Sequence, residues 1–205
     1  MNETLRECCR LLSLLLEYPD EAPQALAERV SRYLDGVRRE HNDDPAGLAG
    51  LAGRLSRMDL EELRQAYVEV FDLSPGCSLF MAWHAYGDTP RQGRALAALS
   101  GLYADAGFNR VPGVLPDYLP LMLEFLSAAP EWAARTVCDG FLPHIRQLGE
   151  RIAAHETGRE SARQAVHEAG QKSPRPAGQG KDGVYAFLGG ALAFLAGQID
   201  PRLAH

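Results

Sequence analysis

LPDYLPLMLEFL, running from Leu115 to Leu126, is the stretch whose reading decides the fold. Asp117 stands where a helix N-cap would, and Pro120 falls in the first turn. Proline is harmless there because those N–H groups have no intrahelical partner. From that start Leu119, Met122, Leu123 and Leu126 recur at helical spacing and form one apolar stripe. Asp117, Pro120, Leu121 and Glu124 share the other side. Two readings follow. In one, Asp117 is a helix cap and Glu124 a solvated charge. In the other, the helix turns one face to the core and one to a partner, and Leu121 and Glu124 are then accessible. Residue chemistry leaves both open.

The same helical period runs outward in both directions. Leu5, Cys8, Cys9, Leu12, Leu15 and Leu16 make a stripe widened by Leu11 and Leu14, and Pro19 ends that helix. A second helix is expected from Pro23 to Arg39, with Leu26, Val30, Tyr33, Leu34 and Val37 inward. After a polar break at His41 to Pro45, Leu48, Leu51 and Leu55 mark a short helix. Asp59 and Glu62 have the layout of a capping box for a helix carrying Leu60, Leu63, Tyr67, Val70 and Phe71. It stops at the turn signal Ser74-Pro75-Gly76. Thr89 and Gln92 predict a second capping box, with Pro90 at the first helical position and Gly107 as the stop. That helix turns Leu96, Leu99, Leu102, Tyr103 and Ala106 inward.

Beyond the central stretch, Pro130 restarts the chain into a short helix anchored by Trp132, and Pro143 begins a longer one with Ile145, Leu148 and Ile152 inward. The composition then shifts to Gly, Ser, Gln, Pro and charge, which predicts a flexible linker at about 157–183. Val184 to Ile199 is apolar almost without interruption. It falls short of the roughly 20 residues a bilayer-spanning helix needs, so it reads as a closing helix at about 184–199. Gly189-Gly190 would let it approach a neighbour closely. No strand-like alternation of useful length occurs. The fold expected is all-α, a single-domain helical bundle over residues 1–205 whose core includes Leu12, Leu16, Leu63, Phe71, Leu99, Leu123 and Leu195.

A chain of 205 residues can bury a real core, and its formal net charge of −6, from 21 basic and 27 acidic side chains, argues against nucleic acid as the main partner. A basic peptide suits that balance better. Cys8, Cys9, Cys77 and Cys138 contain no C-x-x-C and no zinc spacing; Cys8 and Cys9 read as small core hydrophobes. Glu3, Arg6, Glu7 and Arg10 interrupt any signal-peptide core, and a cytoplasmic location is expected.

Catalytic motifs are absent: there is no Walker loop, no G-x-S-x-G and no H-E-x-x-H. His84, within WHAYGD, is the strongest chemical candidate, with Asp72 or Asp117 as acids that the fold would have to bring to it. The alternative is a histidine satisfied by backbone or by one carboxylate. His144, His155, His167 and His205 show no ligand spacing.

Taken in order, LEYPD (Leu16 to Asp20), QAYVEVFD (Gln65 to Asp72), SLFMAWHAYGD (Ser78 to Asp88), the G-x-A-L helix at Gly93, LPDYLPLMLEFL and YAFLGGALAFL form a series. The series resembles the NarJ family of nitrate reductase delta-type chaperones, within the wider TorD-like group of redox-enzyme maturation proteins. The resemblance implies a cytosolic all-helical chaperone that is not an enzyme. It also implies binding to the N-terminal segment of a nitrate-reductase-like molybdenum catalytic subunit until the cofactor is inserted. That cofactor, molybdenum–bis-pterin guanine dinucleotide, belongs to the client; the chaperone needs none, nor a metal. Cofactor-biosynthesis proteins are further implied partners, and neither nucleic acid nor stable membrane insertion is implied. The family's client-binding positions fall on Tyr67, Phe71, Asp72, His84, Tyr86, Gly87, Asp117, Leu119, Pro120, Leu121 and Glu124. Asp72, Asp117 and Glu124 are the acids expected around the groove. One departure is that Gln92, with Arg91 displaced by one, precedes Gly93 where the family places an arginine. Rival readings are a chaperone for a selenate, chlorate or dimethyl sulfide enzyme, a small α-helical hydrolase using His84, and a membrane-associated protein anchored by Val184 to Ile199.

Overall fold

The computed structural model describes residues 1–41, 48–170 and 183–199. Its helices are α1 (Glu3–Leu15), α2 (Pro23–His41), α3 (Leu48–Leu55), α4 (Leu60–Tyr67), α5 (Met81–Tyr86), α6 (Pro90–Asp105), α7 (Leu119–Ala128), α8 (Glu131–Gly170) and α9 (Val184–Ile199). Among the described residues there is no strand, only one antiparallel bridge between Phe80 and Tyr118. The expected core is observed: Leu12, Leu16, Leu63, Phe71, Leu99, Leu123 and Leu195 are all buried, as are Cys8 and Cys9. Burial pushes the Cys8 thiol up to about 11, so this pair behaves as packing rather than as reactive thiolates.

Two helix pairs carry the bundle, α1 against α7 and α8 against α9. Ser13 on α1 donates to the Pro120 carbonyl at 2.8 Å. Arg6 donates to the carbonyls of Ala129 at 2.9 Å and Ser127 at 3.4 Å, placing a cation on the C-terminal end of α7. At the other pair, Gly149 and Gly189 face each other. A Cβ added to either would lie 2.5 Å from the other's carbonyl oxygen. Backbone meets backbone there, and only glycine permits it.

Helix ends follow the residue chemistry with one exception. Asp59 accepts from Glu62 N at 2.8 Å and Glu62 from Asp59 N at 3.1 Å, which is the capping box read from the sequence. Gly107, at φ +72°, ends α6 through bonds from Phe108 N to Tyr103 O and from Gly107 N to Ala104 O. The second capping box does not form. Thr89 caps α6 only through its backbone, and its hydroxyl turns back to the Tyr86 carbonyl at 2.9 Å.

Two further expectations are corrected. Pro143 does not start a helix but sits inside α8, which runs unbroken from Glu131 to Gly170. The carbonyl it leaves unbonded belongs to Asp139, and both residues are exposed, so water can take that bond. Residues 157–170, read as part of the linker, therefore belong to a helix; residues 171–182 lie outside the described residues, as do 42–47 of the polar break. The closing helix has the expected bounds, and among the described residues no helix is long and apolar enough to cross a membrane.

Gly149→Ala or Gly189→Ala is expected to destabilise the protein by about 1–3 kcal/mol, the usual cost of overpacking a tight contact. Gly93→Ala, which meets open space, serves as the control. Urea denaturation checks this; equal midpoints for all three variants would contradict the close α8–α9 approach.

Candidate functional site

Asp117 is buried to 1% exposure, and it does not cap α7. Its carboxylate accepts from Ala82 N at 2.9 Å, and its carbonyl accepts from Met81 N at 3.0 Å. Those are the first two N–H groups of α5, whose own N-cap, Phe80, has no side-chain acceptor. Asp117 therefore caps a helix 35 residues away in sequence. Leu119 N closes the junction on Leu79 O at 2.8 Å. Burial holds the Asp117 carboxyl above the usual carboxylate range, although the hydrogen bond from Ala82 works against the shift.

α7 is enclosed on nearly every side. Leu119, Pro120 and Leu121 are buried, and only Glu124 and Ala128 reach solvent. The expectation of an accessible Leu121 fails, and with it the picture of α7 as a helix with an open leucine face. Asp117 cannot serve as a rim acid either. Of the acids expected around a groove, Asp72 and Glu124 are exposed.

The Tyr67–Asp72 stretch is held by an irregular turn. After α4 the chain makes one π-helical turn, Val68–Asp72, sealed by Leu73 N to Val68 O at 2.9 Å. This turn points Phe71 inward and leaves Asp72 exposed. Tyr67 and Phe71 join a buried aromatic cluster: Phe71 lies 4.9 Å from both the Tyr67 and Tyr185 ring centres, and Tyr67 lies 5.3 Å from Tyr18.

From this cluster a polar chain leads to the surface. Tyr118 donates to Glu17 at 3.3 Å, which leaves the Tyr67 hydroxyl to donate to Tyr118 at 3.4 Å. Partial burial raises the Glu17 carboxyl above its ordinary value; the Tyr118 bond opposes this, while the nearby charges of Glu124 and Asp20 add to it. Burial likewise raises the Tyr67 phenol, against the Tyr118 bond, with Asp72 and Glu17 adding to the shift. Glu17 thus has Glu124 and Asp20 as charged neighbours, and Asp72 and Glu17 act on Tyr67. Exposed apolar side chains adjoin them: Leu14 and Tyr18 on one flank, and Phe80, 5.5 Å from the Tyr118 ring, on the other. Glu17, Tyr18, Tyr118 and Tyr185 were not among the residues singled out from the sequence, although the LEYPD and LPDYLPL landmarks contain three of them.

His84 lies apart from these acids. It donates from Nε2 to Ser78 O at 2.7 Å, and its Nδ1 accepts from Arg151 at 3.3 Å. Burial, with the charges of Arg151 and His144, pulls its pKa below the ordinary value against the Ser78 bond. Among the described residues no hydrogen bond joins His84 to a carboxylate, so the hydrolase arrangement of His84 with Asp72 or Asp117 is not formed. Tyr86 packs near Phe141 at 6.5 Å, and Gly87, at φ +59°, makes the left-handed turn that only glycine adopts easily. Among the described residues no group of three or more His, Cys, Asp or Glu is placed to hold a metal.

The fold resembles that of an Archaeoglobus fulgidus protein assigned to redox enzyme maturation (TM-score 0.52, 23% identity, covering 92% of this chain and 91% of that one). Residues 40–155 match the nitrate reductase delta subunit family, and the chain belongs to that family. A Bacillus subtilis protein described as a "probable nitrate reductase molybdenum cofactor assembly chaperone NarJ" is 30% identical over 158 residues, 77% of this chain and 85% of that protein. The protein of the same name from Escherichia coli is 28% identical over 147 residues, 72% of this chain. The match spans 62% of the Escherichia coli protein, less than two thirds of its length. The family is one of cofactor assembly chaperones, not of catalytic enzymes.

Two outcomes check the site's architecture. Asp117→Ala should cost about 1–3 kcal/mol and speed amide exchange in residues 81–86, because buried N–H groups lose their acceptor; unchanged exchange would contradict the clamp. For His84, the folded state binds fewer protons than the unfolded chain. Its stabilising effect is therefore complete above the ordinary value of 6.5 and is lost as pH falls below it. The stability difference between wild type and His84→Gln should accordingly shrink as pH drops from 7.5 to 5.5, in urea titrations at about half-unit steps. A constant difference would contradict a neutral folded-state His84.

Proposed function

We propose that this protein is an assembly chaperone for nitrate reductase in the cytoplasm. It holds the N-terminal segment of the molybdenum catalytic subunit as an amphipathic helix until the molybdenum–bis-pterin guanine dinucleotide is in place. The observation that carries this reading is the gathering of Glu17, Asp20, Asp72 and Glu124 around exposed Leu14, Tyr18 and Phe80. Apolar area supplies affinity for one face of a helix, and carboxylates supply attraction for basic residues beside it. The cofactor is the client's cargo and needs no site on this chain.

Tyr67 and Phe71 support this surface from beneath instead of touching a client, and Gly87 shapes the turn after α5. Leu119, Pro120, Leu121 and Asp117 hold the scaffold on which Tyr118 and Glu124 sit. Leu121→Asp, which would be a clean binding variant if that leucine were exposed, instead places a charge in the core and is expected to unfold the protein.

Calorimetric titration with a synthetic N-terminal segment of the nitrate reductase catalytic subunit from the same genome tests the reading. Binding is expected, weakening as salt rises, and Glu124→Gln or Asp72→Asn should slow association more than they hasten release. A scrambled segment of equal charge binding equally well, or no binding at all, would overturn it.

A further inference from the structure

The surface beside Glu17 is not flat. The turn after α1, with α2, α3, α4 and α9, encloses a cleft of about 260 Å³. Its inner wall is apolar, from Leu26, Leu51, Leu55, Leu63, Tyr185 and Leu188, and Leu14, Glu17 and Asp20 stand at its edge. That volume is below the roughly 300–1,000 Å³ of a small-molecule site and suits a single large side chain. The edge is negative and unneutralised. Glu21 pairs with Arg29 at 3.2 Å, but among the described residues no Lys or Arg pairs with Glu17 or Asp20. Arg64, the cation beside this turn, is already engaged: it donates to Pro19 O at 2.9 Å and lies 5.8 Å from the centre of the Tyr18 ring.

We propose that this cleft is the anchor site of the client helix: it takes one leucine, methionine or phenylalanine side chain, and a lysine or arginine one helical turn away pairs with Glu17 and Asp20. The inference rests on the chaperone reading above and adds to it the pattern the chaperone selects. Residues three or four apart lie side by side on a helix, so an apolar anchor in the cleft brings a basic neighbour to its edge. The pairing fixes both register and direction, because the reverse orientation carries the cation away from the acids. The same chemistry excludes the phosphate-bearing cofactor from this cleft, since an anion there would face carboxylates without a cation.

The test uses the full chain and the same synthetic segment, with each large apolar and each basic residue of the segment replaced in turn. Leu14→Asp and Asp20→Lys change exposed residues and should each weaken binding roughly tenfold or more with the circular dichroism spectrum unchanged. Trp132→Gln, on an exposed aromatic outside the cleft, should not weaken it. One apolar position of the segment should be as sensitive, and replacing a basic residue three or four places from it should cost little extra once Glu17 is Gln. If wild type binds the segment but Leu14→Asp and Asp20→Lys bind it equally well, the anchor site is wrong and the chaperone reading stands. If wild type does not bind the segment, the chaperone reading fails and the anchor site falls with it.

Discussion

A buried carboxylate capping a distant helix organises this molecule. Asp117 offers its side chain and its carbonyl to the first N–H groups of α5, and the strand-like bridge between Phe80 and Tyr118 lies directly beside that bond. The Leu119 N to Leu79 O bond joins the same two segments, but α5 is short and lacks a local side-chain cap, so its N-terminus relies on Asp117. With the junction closed, Tyr118 is held between Phe80, Tyr67 and Glu17, and the surface around it takes its shape. Removing a carboxylate from water costs free energy, and the raised pKa of Asp117 is the sign of that cost. The bonds to α5 offset it.

The enclosure of α7 follows from the same arrangement. α1 packs along it, Ser13 bonds its first turn and Arg6 its last, so no leucine face remains for a partner. The exposed acids and apolar side chains lie instead around the helix: the end of α1 with Leu14, Glu17 and Tyr18, the π-helical turn with Asp72, and the one exposed acid of α7 itself, Glu124. The Gly149–Gly189 approach seats α9 deeply enough for Tyr185 to close the aromatic cluster under that surface. A contact far from the surface thereby sets its floor.

Much of this was legible in the sequence because it depends on local periodicity. The stripes of α1, α4 and α9, the Asp59–Glu62 capping box and the glycine stop at Gly107 need only neighbours within a turn or two. The readings that failed depend on distant partners. Asp117 has the residue type and position of a local cap, yet its acceptor bonds go to another helix. A helical wheel divides α7 into two faces, but it cannot tell how many neighbours surround the helix, and so it left Leu121 outside. Pro143 is a breaker by type and is accommodated because the carbonyl it strands is exposed. Glu17, Tyr118 and Tyr185 come from three separated segments and share no motif; their common feature is the polar and aromatic chain that only the fold assembles. Acids and aromatics within the LEYPD and LPDYLPL landmarks were the available signal.

On the reading proposed above, a client helix docks on the acid-rimmed surface at the end of α1. Backbone amide exchange, followed with and without the synthetic client segment, tests it directly. Slowed exchange is expected in residues 14–20 and 67–73 and around Tyr118, with residues 84–88 and the first turns of α8 unchanged. Protection confined to the His84–Arg151 side, with the end of α1 unaffected, would contradict it.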